Sequence, residues 1–486
     1  MSSEIINLQP KEVWKHFHSL TQIPRPSKKE ERIIQFMIDF GKKLKLETLT
    51  DEVGNVLIRK PASPGYENRK GIILQTHLDM VPQKNSDTQH DFEKDPIQAY
   101  VGGEWVKARG TTLGSDNGMG VAATMAILES TSIQHGPVEA FFTIDEETGM
   151  TGAFGLKPGF LKGEILINLD SEDEGELYIG CAGGMDAVVN IPYGEVGVPE
   201  KHIPYKISVK GLRGGHSGLD INLGRGNSNK LLFRFLNYAN DFLDIHLSSV
   251  QGGNLRNAIP REAFAVVLVP EQNEQAFLEA IANQLAMFRN ELKATEPDLV
   301  LMAEKTSKPE KIINPGGQVR IIKSVYGCPN GAMRMSDGVP GLVETSNNLA
   351  VVQTEAGNAK VLCLMRSSVD TAKEDVGQMI RSVFELAGAT VELTGGYPGW
   401  KPNPDSPILK TMSTLYQKKY GKTPEIKAIH AGLECGLIGG IYPQMDMISC
   451  GPTIRFPHSP DEKVHIESVG KFWDFLVETV KNIPVK

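Results

Sequence analysis

Cysteine is scarce in these 486 residues. Cys181, Cys328, Cys363, Cys435 and Cys450 are odd in number and widely spaced. No two form a CxxC pair, which argues against thiolate zinc sites and a disulfide framework and suits a reducing cytoplasm. Basic charge is also short: 51 Lys and Arg stand against 59 Asp and Glu, a formal net charge of −8. A mildly acidic chain has no general field to draw in nucleic acid or anionic lipid, and it carries no Lys/Arg stripe with interleaved aromatics. No apolar run approaches the ~20 residues that span a bilayer. The first residues lack the basic start and apolar core of a signal peptide. Partners of the nucleic-acid and membrane classes are therefore not expected. What is present is a globular composition, 40% hydrophobic and 23% charged, in a chain long enough for two or more domains.

The opening segment predicts helix, helix, hairpin. Pro10 can start a helix carrying Val13, Trp14 and Phe17. Ser27 followed by Glu30 has the form of a capping box, with Ile33, Ile34, Met37 and Phe40 as the helical stripe behind it. Residues 46–60 alternate around the turn Asp51-Glu52-Val53-Gly54-Asn55, as a hairpin does. Three short apolar runs follow, at 71–76, 138–144 and 164–169, with a helical pattern at 118–129 between the first two. Strand, crossover helix, strand predicts an α/β fold with a parallel or mixed sheet flanked by helices. Ligands bind beyond the carboxyl ends of such strands.

The pattern changes near residue 187. Strands at 205–209 and 263–269 alternate with helices near 226–240 and 273–293. A hairpin at 348–365, a helix near 372–387 and a strand at 390–394 follow. Two similar strand–helix–strand sets predict an internally doubled, inserted α+β domain over 187–396. The catalytic domain would then comprise 1–186 and 397–486, closing with a helix near 466–482.

Titratable residues gather where the first domain's strands should end. His77 and Asp79 follow the first, Glu146 and Glu147 the second, Asp170 the third. Asp116 sits in the turn Gly114-Ser115-Asp116-Asn117-Gly118, and His458 lies in Phe456-Pro457-His458-Ser459. Two His, two Asp and a Glu are the number and kind of ligands that hold two divalent ions through a shared carboxylate. Asp116 is the expected bridge, with His77 and Asp170 on one ion and Glu147 and His458 on the other. Asp79, two residues beyond His77, points the same way in an extended chain. It can orient the ring through its second nitrogen. Glu146, beside the ligand Glu147, is placed to move a proton as general base. Each motif alone has an ordinary reading. His-x-Asp can be a capped surface loop, Asp-Glu-Glu a solvated acidic loop, Asp116 a helix N-cap, and His458 a plain turn residue. Convergence of all of them after buried strands favours a site.

His77-Leu-Asp-Met-Val81, Gly114-Ser-Asp-Asn-Gly118, Asp145-Glu-Glu-Thr-Gly149 and Gly214-Gly-His-Ser-Gly218 occur in that order. With them the chain resembles, nearly end to end, the co-catalytic di-zinc peptidase family of carnosinases, aminoacylases and bacterial dipeptidases. The resemblance implies the same metal and proton-transfer residues, and a cis peptide at Asp116-Asn117. It implies two Zn²⁺ per subunit, with Co²⁺ or Mn²⁺ as substitutes, and a homodimer formed through an inserted lid domain. His216 is implied as an oxyanion stabiliser, and Asn257, Arg366 and Gly432 as substrate-binding residues. His430 and Glu434 fall in a loop on the substrate side. Asp rather than Glu at position 170 resembles the aminopeptidase-like branch, which reads a free amino terminus. The expected activity is hydrolysis of unblocked dipeptides, Xaa-His and carnosine among them, by a hydroxide held between the ions. The alternative is deacylation of N-acyl amino acids by the same site. A two-metal phosphoesterase lacks its basic cluster here.

Overall fold

The computed structural model describes residues 2–486. The chain divides into two compact units. One comprises residues up to Gly180, Pro402–Ala428 and Leu433–Lys486; the other comprises Cys181–Lys401 and Ile429–Gly432. The chain thus changes unit at 181 and 402, where 187 and 397 were expected from sequence, and returns briefly to the second unit at 429–432.

The first unit is built on an eight-stranded mixed sheet. Its order is Glu47–Thr50, Val56–Lys60, Val138–Thr143, Ile72–His77, Ile165–Asn168, Asp446–Ser449, Glu176–Cys181, Glu425–Ile429. Ile72–His77 runs parallel to both neighbours, with His77 beside Thr143 and Gln75 beside Asn168. Asp446–Ser449 is also parallel to Ile165–Asn168. Every residue of the three strands at 72–77, 138–143 and 165–168 is buried, which is why they read as largely apolar runs without a polar face. Helix Ser115–Glu129 connects two of them and is buried along almost its whole length. Its small residues permit this: a Cβ at Gly120 would stand 2.7 Å from the Leu169 carbonyl oxygen. Helix Lys11–Thr21 packs on it, with Val13, Trp14, Phe17 and Leu20 buried.

Ser27 and Glu30 do not form the predicted capping box. Helix Glu31–Lys43 starts without a side-chain cap. The Ser27 hydroxyl donates instead to Asp79 Oδ2 at 2.7 Å, and Glu30 Oε1 accepts the Asp145 N–H at 3.1 Å. Both candidate capping groups are taken by the strand-end loops. Helices Pro315–Gly327 and Pro407–Tyr420 went unread in the sequence although each has a local signal. Asn314 and Ser406 accept hydrogen bonds from Gly317 and Leu409 N–H, just ahead of a proline in the first turn.

The second unit contains a nine-stranded antiparallel sheet. Its main path runs 300–305, 202–210, 263–270, 246–252, 343–355, 358–367, 183–192, 390–397. The strands at 202–210, 246–252, 263–270 and 300–305, with helices Ser228–Phe242 and Glu274–Glu291, form one β-α-β-β-α-β set. Strands 183–192, 343–355, 358–367 and 390–397, with helices Pro315–Gly327 and Asp370–Leu386, form another. The doubling expected in this part of the chain is present, with one set nested inside the other. Strands 246–252 and 343–355 join them through Gln251–Gln353 pairing. No helix among the described residues is long and apolar enough to cross a membrane.

Candidate metal centre

Five segments bring the predicted ligands together in the first unit. His77 is the last residue of its strand. Glu146 and Glu147 open a one-turn helix just past Val138–Thr143, entered through Asp145 at φ 50°. Asp170 lies two residues beyond Ile165–Asn168. Asp116 occupies a non-helical position in the first turn of Ser115–Glu129, and the Asp116–Asn117 peptide is cis, as the resemblance implied. His458 sits, at φ 59°, in the loop between the paired strands Ile454–Arg455 and Lys463–His465.

The two oxygens of Asp116 face different partners. Oδ1 lies 3.3 Å from His77 Nε2, and Oδ2 lies 3.3 Å from His458 Nε2. His77 Nε2 is also 3.3 Å from Asp170 Oδ1, and His458 Nε2 is 2.8 Å from Glu147 Oε2. His77, Asp116 and Asp170 therefore form one set of convergent ligand atoms, and Asp116, Glu147 and His458 another. The buried Glu147 Oε1 has no hydrogen-bond partner among the described residues. An orphaned carboxylate oxygen and two imidazole nitrogens aimed at a shared carboxylate fit a pair of divalent cations. The carboxylates' demand for positive charge is visible in His458, which Asp116 and then Glu147 push up to about 11 against the effect of burial.

Asp79 is fully buried behind His77, with Oδ1 3.2 Å from Nδ1. The same carboxylate accepts the N–H of Glu146 at 3.0 Å and of Glu147 at 3.2 Å. Burial works against its charge, but the His77 contacts, Ser27 and the Glu146 amide outweigh it and hold Asp79 at about 2. One carboxylate thus fixes the His77 ring and the Glu146-Glu147 backbone together. Glu146 is raised well above the usual carboxylate range, first by burial and then by Asp170, Glu147 and Glu434, with His77 opposing.

Three supports escaped the sequence reading. The Glu462 carboxylate accepts the N–H groups of Leu113, Gly114, Ser115 and Asp116 and the Ser115 hydroxyl. The buried Arg25 guanidinium donates to the carbonyls of Leu78, Asp79 and Gly114. Gln75 donates to Glu434 Oε2 at 2.6 Å and accepts from Asn168 at 2.6 Å. Asn168 in turn accepts from Ser449 at 2.5 Å. Gln75 and Asn168 each precede a ligand by two residues, so their side chains share its face. A buried Gln and Asn at alternating strand positions were the available signal.

The remaining predicted residues lie in the second unit. The Arg366 guanidinium is buried, with Nε 3.2 Å from Ser217 Oγ, Nη1 3.4 Å from the Tyr397 hydroxyl and Nη2 3.5 Å from His216 Nε2. His430 Nε2 meets Ser346 Oγ at 2.7 Å. Gly432 stands where a Cβ would come 3.2 Å from the Tyr397 hydroxyl. Asn257 is exposed; its carbonyl accepts the Ser217 N–H at 2.9 Å.

Residues 73–482 match the model of peptidase family M20/M25/M40. The chain belongs to this family. As an M20 peptidase it bears out the resemblance read from the four strings and the expected fold class. Along its full length it is 48% identical over 484 residues to the cytosol non-specific dipeptidase of Escherichia coli (strain K12), all of which is covered. The aminoacylhistidine dipeptidase structure from Vibrio alginolyticus shares 50% identity and a TM-score of 0.95, with both chains covered completely. The structure of aminopeptidase PepT from Bacillus cereus shares the fold at 16% identity, with a TM-score of 0.63 and 98% and 99% of the two chains covered.

Proposed function

We propose that this chain is a cytoplasmic metallo-dipeptidase that hydrolyses unblocked dipeptides, Xaa-His and β-alanyl-histidine included. The observation that carries the reading is the split of the Asp116 carboxylate, one oxygen toward His77 and the other toward His458. The similarity to two full-length dipeptidases supports the substrate class. Two Zn²⁺ are the proposed cofactors, since imidazole with carboxylate suits zinc, and Co²⁺ or Mn²⁺ can substitute. The bound ions would polarise the scissile carbonyl and bring the pKa of a bound water toward neutrality.

The chain's own residues supply the rest. His77 and Asp170 are the proposed ligands of one ion, Glu147 and His458 of the other, with Asp116 shared. Asp79 holds the His77 ring by its Nδ1 and fixes the Glu146 backbone. Glu146 takes a proton from the attacking water and returns it to the leaving amine. His216 donates to the developing oxyanion. Arg366, buried and with no acidic partner at its three nitrogens among the described residues, suits the substrate carboxylate. Asn257 and Gly432 are proposed to contact the substrate. The proposed assembly is a homodimer through the second unit.

The test is a screen of the metal-reconstituted protein on dipeptides, tripeptides and N-acyl amino acids. Hydrolysis confined mainly to free dipeptides supports the proposal. Equal activity on tripeptides, or a preference for N-acyl amino acids, would overturn it in favour of a broader peptidase or a deacylase.

A further inference from the structure

The turn that carries His216 favours one ring nitrogen as the holder of its proton. His216 Nδ1 accepts the N–H of Gly218 at 3.2 Å and the N–H of Leu219 at 3.1 Å. A backbone amide can only donate, so Nδ1 must present its lone pair. In the neutral ring the proton then sits on Nε2. The main chain is held just as firmly. The His216 N–H donates to Asp220 Oδ2 at 2.7 Å, and Gly215-His216 pairs with Ala258-Ile259. Gly215, at φ 148°, allows the closure: a Cβ there would meet Asp220 Oδ2 at 2.6 Å.

A second proton has no comfortable place. It would have to enter at Nδ1, setting a third donor against two amides. The charged and titratable groups facing the ring are Arg366, Asp220 and the neighbouring His430; Arg366 Nη2, itself only a donor, competes for the Nε2 lone pair, but at 3.5 Å it stands at the outer limit of a hydrogen bond, whereas the two amides at Nδ1 are closer. Burial and then Arg366 hold the ring's pKa below its ordinary value, with Asp220 pulling the other way.

We infer that residues 214–220 form a tautomer lock that keeps His216 neutral with its proton on Nε2, and that Asp220 is the positioning residue of this lock. His216 is then a fixed hydrogen-bond donor and does not shuttle protons. The catalytic consequence rests on the proposed role of His216 at the oxyanion; the protonation state does not.

The test uses the full-length, zinc-loaded protein with ¹⁵N-labelled histidine. The His216 ring signals are identified by their loss in His216→Gln. The expected spectrum has an unprotonated Nδ1 and a protonated Nε2, unchanged between about pH 8 and pH 6, where an ordinary histidine titrates. The reverse tautomer, a rapid average of the two, or titration in that range would overturn the lock. Asp220→Ala should mix the tautomers and lower kcat by about tenfold or more, with little change in KM. Asp220→Asn, which keeps an acceptor, should restore most of both. Equal losses in kcat and KM for Asp220→Ala, or no rescue by Asn, would count against Asp220 as the positioning group. If His216→Gln turned over like the wild type, the oxyanion role would fail while the tautomer result stood. The wild-type spectrum needs no variant to fold.

Discussion

Glu462 holds Ser115 by both of its donors, the backbone N–H at 2.7 Å and the hydroxyl at 2.6 Å. The two residues are distant in sequence, and the bridge candidate Asp116 follows Ser115 directly. Glu462 also accepts the N–H groups of Leu113, Gly114 and Asp116. Glu462→Ala therefore leaves a cluster of buried donors unpaired, at roughly 1–3 kcal/mol for each donor that finds no water. The expected outcome is a lower Tm and loss of bound metal, read by thermal scanning and elemental analysis. Glu462→Gln retains acceptor capacity and should fall between the two. Metal content equal to wild type in Glu462→Ala would show that the Asp116 turn holds itself.

Glu146 stands outside both Asp116-centred ligand sets, although its carboxylate also converges with His77 and Glu147 in a third group. Its backbone is fixed by Asp79, so shortening the side chain leaves the turn in place. Glu146→Ala should keep its metal and a stability within about 1 kcal/mol of wild type while kcat falls ~10²–10⁴-fold, the usual worth of a positioned acid–base group. Metal analysis and steady-state kinetics on one free dipeptide suffice. Turnover near the wild-type rate would remove Glu146 from the mechanism.

Sharing predicts an unequal pattern of metal loss. Asp116 belongs to both ligand sets, whereas Asp170 belongs to one and His458 to the other. Asp116→Ala should empty both positions. Asp170→Ala and His458→Ala should each mainly weaken one, leaving about one ion per chain in protein dialysed against limiting zinc. Elemental analysis distinguishes the patterns. Equal stoichiometry in all three variants would argue against Asp116 as a bridge.

The ligands were legible because chemistry leaves a visible pattern: a metal-ligating residue at, or within a few residues of, the end of a buried and largely apolar strand run. His77, Glu147 and Asp170 each have that form. The supports were not legible, for two reasons. Glu462 and Arg25 act on backbone amides and carbonyls, which carry no residue-type signature at their own positions. Ser27 and Glu30 matched a capping rule that local spacing satisfies, but Asp79 and the Asp145 amide compete for the same groups and win in the folded chain. The sets of the second unit were readable from period and turn residues. Their nesting was not, because it depends on which strand edges meet. The helix at Glu434–Ile441 was missed because its sequence, Glu-Cys-Gly-Leu-Ile-Gly-Gly-Ile, is short and glycine-rich, and only its buried setting makes it helical.

His430 gives a pH dependence that does not involve the metal residues. Burial, then Arg366 and His216, push it down to about 3 from an ordinary 6.5. The folded protein therefore refuses a proton that the unfolded chain accepts between about pH 6.5 and 3. Stability from this group is present in full above pH 6.5. It is lost as pH falls through that window, by up to about 1.4 kcal/mol per pH unit. His430→Gln removes the titration while keeping a polar group beside Ser346 Oγ. Near neutral pH the variant should be less stable than wild type, since the ring packs in a buried position. As the solution is acidified the Tm difference should shrink and then reverse, because only the wild type must keep a buried imidazole neutral. Thermal scans of both proteins, freed of metal by a chelator and run from pH 8 to about 4, measure that crossing. Parallel Tm curves across the range would mean that His430 charges in the folded state and that its surroundings accommodate the cation.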